Sequence, residues 1–341
     1  MHMADALLSP GTGGVMWAAT AVTIFYSARK VQSQLDNRKI PLMGVLGAFV
    51  FAAQMINFAI PGTGSSGHIG GGLLLAILLG PQGAFLTMAS VLTVQALFFA
   101  DGGLLALGCN IFNLGFFPCF VAYPFIYKSI VNKKSSSRRL AVGSILAAII
   151  ALQLGSLGVV LQTYFSGITA LPFFSFLLMM QPIHLAIGLA EGLATAGIIS
   201  FIWNSRPEIL DSAELEKPFA SIPIRNIVLI FLLAFIFAGG FLAWFASKHP
   251  DGLEWAIAKV STIHELESPQ QEFYKKLENF QEKTSILPDY GFKAKTIPGH
   301  DESILLHNQT GTSISGLVGG LLVFICIVVI GVFLKKKKQS V

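Results

Sequence analysis

The stretch GVLGAFVFAAQMINFAIPGTGSSGHIGGGLLLAILLGP, residues 44–81, decides how the rest of the chain is read. Two apolar runs flank a hinge of Gly, Ser and Thr that carries one histidine, His68. Neither run holds a single Asp, Glu, Lys or Arg, and both are continuous rather than alternating. Continuous runs argue for bilayer-crossing helices, which need about 20 residues each, and against a β-barrel, whose strands alternate. The whole chain agrees. Of its 341 residues, 53% are hydrophobic and only 12% charged, against about 25% charged in a soluble domain. Mean hydropathy is +0.68. The expected fold class is an all-α polytopic membrane protein.

Working outward, apolar spans are expected at about 14–28, 40–58, 69–80, 83–100, 103–127, 139–163, 175–202, 225–247 and 313–334. The basic stretches ARKVQSQLDNRK (28–39), YKSIVNKKSSSRR (127–139) and KKKK (335–338) belong on the cytoplasmic side under the positive-inside rule. Nine spans satisfy all three at once, with the N-terminus outside and the C-terminus inside. The polar stretch 248–312 then forms one extracytoplasmic domain. The expected division is a membrane domain over 1–202, a cytoplasmic linker over 203–224 and a C-terminal part over 225–341. The net charge of +5 is explained by these loops, so it reports topology and not a nucleic-acid partner. Cys109, Cys119 and Cys326 lie in apolar runs and read as small buried hydrophobes. Residues 1–13 contain no Lys or Arg, so no signal peptide is expected and the first residue is taken as the native terminus.

The bookkeeping puts MHMADALLSP (1–10) on the same side as the His68 hinge. The amine of Met1 and the amide nitrogen of His2 would close a five-membered chelate ring on a metal. The same amide and Nδ1 of the His2 imidazole would close a six-membered one. A second imidazole, from His68, could supply the fourth nitrogen of a plane, a set that suits Ni(II) or Cu(II). The plainer alternatives are an exposed polar terminus and a flexible outer loop, with Gly67-x-x-x-Gly71 serving only helix packing.

Other candidates stand beside these. His184 and Glu191 are seven residues apart on one helix face, and could form an intramembrane pair, a transport relay or a structural contact. Gln54, Asn57, Gln95, Asn110 and Asn113 are amides in apolar spans, suited to interhelical hydrogen bonds or to orienting a ligand histidine. Ser66, beside His68, joins them as an outer partner. His249, His264, His300 and His307 read as solvated loop residues. The sequence IHELES (263–268) lacks the second histidine of a zinc protease, and no phosphate-binding loop for ATP is present.

Three stretches carry a resemblance to a known family: MHMADALLSP (1–10), residues 44–81 quoted above, and VQALFFADGGLLALGCNIFNLG (94–115). Over residues 1–202 the chain resembles the substrate-capture (S) components of energy-coupling-factor importers for cobalt and nickel, the CbiM/NikM group. HPDGLEWA (249–256) resembles the PDGLE element of NikN-type subunits, so the chain looks like a NikMN-type fusion. The resemblance implies a metal held by the Met1 amine, the His2 amide, the His2 imidazole and the His68 imidazole. Met3 stands where many relatives have Ile, and is expected to pack over the site. The resemblance also implies a transmembrane coupling subunit (CbiQ/NikQ-like) and a cytoplasmic ATPase (CbiO/NikO-like) as partners. The chain would then be a multi-pass protein of a prokaryotic cell membrane that catalyses no reaction itself. Its cargo would be Ni(II) or Co(II), with nickel favoured and cobalt for cobalamin synthesis as the alternative. A secondary transporter, or an intramembrane enzyme using His184 and Glu191, is the reading from another class.

Overall fold

The computed structural model describes residues 1–33, 38–131, 136–214, 224–261, 271–292 and 301–339, with side chains left aside for 301–308 and 336–339. A short 3-10 turn, Asp5–Leu7, leads into α1 (Pro10–Ser33). There follow α2 (Lys39–Gln54), strands β1 (Phe58–Ile60) and β2 (Ser65–Gly67), α3 (Gly72–Leu79) and α4 (Pro81–Phe99). The middle of the chain forms α5 (Leu107–Ile130), α6 (Ser137–Ser166), α7 (Phe173–Ser205) and α8 (Pro207–Glu214). The C-terminal stretch adds α9 (Arg225–Gly240), α10 (Gly252–Val260), α11 (Glu272–Thr284) and α12 (Asp301–Gln339).

Each of the nine expected spans contains a helix, but the second (40–58) is helical only to Gln54 and runs into β1, and the third (69–80) only from Gly72 to Leu79. Among the described residues, six helices are long and apolar enough to cross a bilayer: α4, α5, α6, α7, α9 with its short extension to Phe245, and α12 from Gln309 to Lys335. The other three fall short for different reasons. At 1.5 Å per residue, the 16 residues of α2 rise only about 24 Å. The 8 residues of α3 rise about 12 Å, well under the roughly 30 Å of a hydrocarbon core. α1 has the length, but its Gly, Thr, Arg29 and Lys30 dilute its apolar character.

The outer faces fit a lipid solvent. On α7, Phe174, Leu178, Leu189 and Leu193 are exposed while Phe176, Met180, Ile183 and Ile187 are buried, so the helix is apolar all round. With no hydrophobic drive between helices in lipid, close packing needs small residues at the contact. A Cβ on Gly188 would lie 2.9 Å from the Cα of Ile149, and one on Gly192 would lie 2.6 Å from that of Ile145. These two glycines let α7 lie against α6 backbone to backbone. α5 is wound with the wider π geometry over Phe112–Tyr127, a stretch containing Pro118 and Pro124, which have no N–H to donate.

The glycine-rich hinge departs from the all-α expectation. β1 and β2 pair antiparallel as a small hairpin, with Phe58 opposite Gly67, Ala59 opposite Ser66 and Ile60 opposite Ser65. Gly67 thus lies in a strand and Gly71 caps α3, so the two do not share a helix face as the packing alternative required. Gly71 has φ +79°, and a Cβ there would lie 2.6 Å from Cγ1 of Val50. Gly71→Ala therefore combines the left-handed penalty, about 1–2 kcal/mol, with a clash against α2. Its thermal midpoint in detergent should fall by several degrees, whereas Gly197→Ala, in the interior of α7 with open space around its Cβ, should hold or raise the midpoint.

Candidate metal centre

The N-terminal residues are held as firmly as a core segment. Met1 is 6% exposed and Met3 fully buried. Asn110, on α5, clasps the Met3 backbone from both sides: its Oδ1 accepts from the Met3 N–H at 2.8 Å, and its Nδ2 donates to the Met3 carbonyl at 3.2 Å. The N–H of Gly103 donates to the same carbonyl at 2.9 Å. Asp5 accepts from the N–H of Ala106 at 2.9 Å. A chain end frays unless tied down, and four bonds to the α4–α5 connection and α5 tie this one. Asn110, expected to serve as glue or to steady a ligand, holds the segment that carries Met1 and His2. Asn113 pairs with Gln162 of α6 by two amide hydrogen bonds of 2.8 and 3.0 Å.

His68 reaches the same place from the hinge. Its ring stacks on that of His2, with centroids 5.4 Å apart and planes 11° apart. The Nδ1 of His68 donates to the Ile69 carbonyl at 3.0 Å. A carbonyl only accepts, so Nδ1 carries the proton and the lone pair of Nε2 is left for a ligand. Burial, then the Met1 amine and His2 nearby, lower the pKa of His68 to about 4. His68 is therefore a neutral imidazole at ordinary pH.

Two carboxylates meet the other nitrogens. The Met1 amine donates to Oδ2 of Asp251 at 2.5 Å. Nδ1 of His2 lies 3.2 Å from Oδ2 of Asp101, while its Nε2 is buried without a partner. Asp101 also accepts from the Tyr290 hydroxyl. Burial opposes ionisation of both acids, yet the net shift is downward: the Met1 ammonium carries Asp251 to about 2, and His2 carries Asp101 well below the carboxylate range. His2, Gln54, Asn57, His68, Gln95 and Asp101 line a cavity of about 380 Å³, together with His249 and Glu254 from the C-terminal stretch. Gln95 donates to Gln54 at 2.7 Å, and Gln54 donates to the Gly70 carbonyl at 2.8 Å, so this amide chain steadies the hinge. Asn57 lies past the end of α2, its side-chain oxygen buried without a partner. Ser66 donates to the His249 carbonyl at 2.7 Å, and its N–H to the Pro250 carbonyl at 2.8 Å.

His184 and Glu191 share a face of α7, but no hydrogen bond joins them. Glu191 accepts from the N–H groups of Gly70 and Gly71 at 2.8 and 3.1 Å. His184 donates from Nδ1 to the Met180 carbonyl at 2.7 Å and leaves Nε2 buried without a partner. It borders a small space shared with Met1, His68 and Asp251. Among the described residues, no three His, Cys, Asp or Glu side chains gather as a metal-binding group, so a cation here would need main-chain nitrogens as well. His249 lines the main cavity. His264 and His300 lie outside the described residues, as does the side chain of His307.

Sequence reasoning assigned no role to Asp101, Asp251 or Tyr290. Asp251 did carry a signal, since Asp-Gly-Leu-Glu (251–254) has the spacing of a helix capping box. The box forms: Oδ1 of Asp251 accepts from Leu253 and Glu254, and Glu254 accepts from the N–H of Asp251. The partner of Oδ2, 250 residues away, carries no local signal.

Fold and pocket together define a multi-pass helical membrane protein with a histidine-lined, carboxylate-flanked cavity at one end of its helices. Residues 2–209 match the family described as cobalt uptake substrate-specific transmembrane region, and residues 225–336 match the PDGLE domain. The chain belongs to the CbiM family, with a PDGLE domain following the CbiM region. It is 33% identical to the putative fused nickel transport protein NikMN of Archaeoglobus fulgidus over 330 residues, 95% of each chain. To the cobalt transport protein CbiM of Sorangium cellulosum it is 30% identical over 231 residues, 64% of this chain and 97% of that one. A crystal structure of a truncated transition metal transporter superposes with a TM-score of 0.53 at 32% identity, covering 60% of this chain and 99% of the other. The chain is thus a multi-pass prokaryotic membrane protein from a family of nickel and cobalt transport components.

Two outcomes follow from the site. Asn110→Ala removes two bonds and strands the buried Met3 N–H, a loss of about 1–3 kcal/mol, to be read as a lower denaturation midpoint of the detergent-solubilised protein. Unfolded His68 takes up a proton below about 6.5, whereas folded His68 resists until about 4. The unfolded state therefore binds more protons between those values, and this group's contribution to stability falls as pH drops through that window. The thermal midpoint of His68→Asn, measured from pH 7 to 4.5, should fall less steeply than that of the native chain.

Proposed function

We propose that the chain captures Ni(II) or Co(II) as cargo, with the Met1 amine, the His2 amide, the His2 imidazole and the His68 imidazole as its four nitrogen donors. The observation that carries this is the stacking of His2 on His68 at 5.4 Å, with the Met1 amine held nearby against Asp251. Two short segments far apart in sequence bring every donor of that set to one end of the helices. His68 is already neutral with its tautomer set. Chelation asks two further things of the chain: Nδ1 of His2 must turn from Asp101 to the cation, and the amine and the His2 amide must each shed a proton.

Nickel is the favoured cargo. Four nitrogens in a plane suit Ni(II), and the relative that matches along 95% of both chains is named a nickel transport protein. The basic loops support an extracytoplasmic position for the cavity, so that the cation arrives from outside. The chain would divide into a capturing domain (1–202), a linker (203–224) and a C-terminal part (225–341), a reading supported by the family matches over residues 2–209 and 225–336. Import would be driven by a coupling subunit and a cytoplasmic ATPase of the energy-coupling-factor type, and this chain would hydrolyse nothing.

Isothermal titration of the purified full chain with Ni(II) and Co(II) tests the donor set. His68→Ala should lower Ni(II) affinity by at least about tenfold. Two alanines placed before Met1 should do the same, because the amine then lies too far from the His2 amide to share a chelate ring with it. Native affinity in both proteins would refute the assigned site.

A further inference from the structure

We propose that Asp251, in the PDGLE domain, is a positioning residue of the metal site, holding the Met1 amine in place for the cation. The inference rests on the donor set proposed above. Its carboxylate is divided between two duties. Oδ1 accepts from the N–H groups of Leu253 and Glu254 at 2.9 and 2.8 Å, which pins it to the start of α10. Oδ2 accepts from the Met1 amine at 2.5 Å. α10 is itself seated on the CbiM region. A Cβ on Gly252 would lie 2.7 Å from Ile183 of α7, and Trp255 donates to the Thr63 carbonyl in the hairpin turn at 2.9 Å. The carbonyls of His249 and Pro250, just before Asp251, accept from Ser66, two residues before His68. One short segment, 249–255, therefore grips the first residue of the chain and the strand leading to His68 at the same time.

The chemistry continues once a cation is bound. A coordinated primary amine keeps two N–H bonds, and one of them still points to a fixed carboxylate, so the nitrogen lone pair is aimed rather than free to swing. Charge argues the same way. A dication bound to one deprotonated amide leaves one positive charge in a buried site, and Asp251 shares with Asp101 the task of balancing it. An isolated charge in such a place is expensive.

Asp251→Asn tests this in the full-length protein, since Asn keeps the oxygen that caps the helix and turns the charged acceptor facing the amine into an uncharged NH2. Asp251→Ser, another uncharged capping residue, serves if the Asn variant does not fold. Calorimetric titration with NiCl2 should show affinity at least about tenfold below native, with the ligand-field absorption band of bound Ni(II) unmoved, because the four nitrogens are unchanged. Native or tighter affinity would overturn the proposal, and so would a shifted band, which would make Asp251 a ligand. His2→Ala, run alongside, separates the two levels. If it loses Ni(II) while Asp251→Asn does not, the donor set stands and the positioning role falls. If it binds like native, the donor set itself is wrong.

Discussion

The structure around the site depends on one buried interaction, the carboxylate of Glu191 beneath the N–H groups of Gly70 and Gly71. The segment from Phe58 to Gly71 is a small hairpin and a turn set among membrane-spanning helices, where an unsatisfied peptide group costs several kcal/mol. A helix start leaves N–H groups without intrahelical partners, and α3 begins at Gly72 with no side-chain cap of its own. Glu191 supplies the missing acceptors from α7, and Gln54 supplies a donor to the Gly70 carbonyl from α2. With both ends of that turn satisfied, His68 is presented on a rigid hinge. What looks in the sequence like half of an intramembrane pair is a backbone clamp.

Much of this was legible in the sequence, and the gaps have physical causes. Apolar runs and basic loops locate each of the six helices that, among the described residues, are long and apolar enough to cross a bilayer, because lipid imposes a composition that cannot be hidden. Span length was less legible. The run around Gly72–Leu79 is apolar enough to read as a crossing segment, but Gly71 and Gly80, both at positive φ, cut it to two turns. His2 and His68 were also legible, as unusual residues in segments that topology brings to one side. Asp101, Asp251 and Tyr290 were not, although the two acids sit in stretches that carry the family resemblance. A carboxylate announces a helix cap through its local spacing. It does not announce a partner at the other end of the chain.

The two family regions are woven together around the pocket and do not merely sit side by side. Tyr274 donates to the Leu8 carbonyl at 2.7 Å, and Gln281 to the carbonyls of Ala96 and Gly102 at 2.8 and 2.7 Å. Tyr290 holds Asp101, which faces His2. These bonds run from the PDGLE domain to the N-terminal segment, to the last turn of α4 or to the turn after it. Fusion of the two regions in one chain keeps these contacts intramolecular, so their formation does not depend on protomer concentration.

The commitments of the carboxylates also bear on which cations the pocket suits. Free carboxylate oxygens favour hard ions such as Mg2+ and Ca2+, whereas imidazole and amine nitrogens favour nickel, cobalt and copper. The two acids nearest the histidines are both engaged. Asp251 is divided between a helix start and the amine, and Asp101 lies between a tyrosine and His2. To coordinate a hard cation directly, either acid would have to abandon bonds that hold the site together. Capture by nitrogen asks for less: a turn of one imidazole and the loss of two protons, with Asp251 kept at its post. The bonds that steady the chain end thus keep both acids from a hard cation, and on the proposed donor set a nitrogen-seeking metal would meet those acids as neighbours and not as ligands.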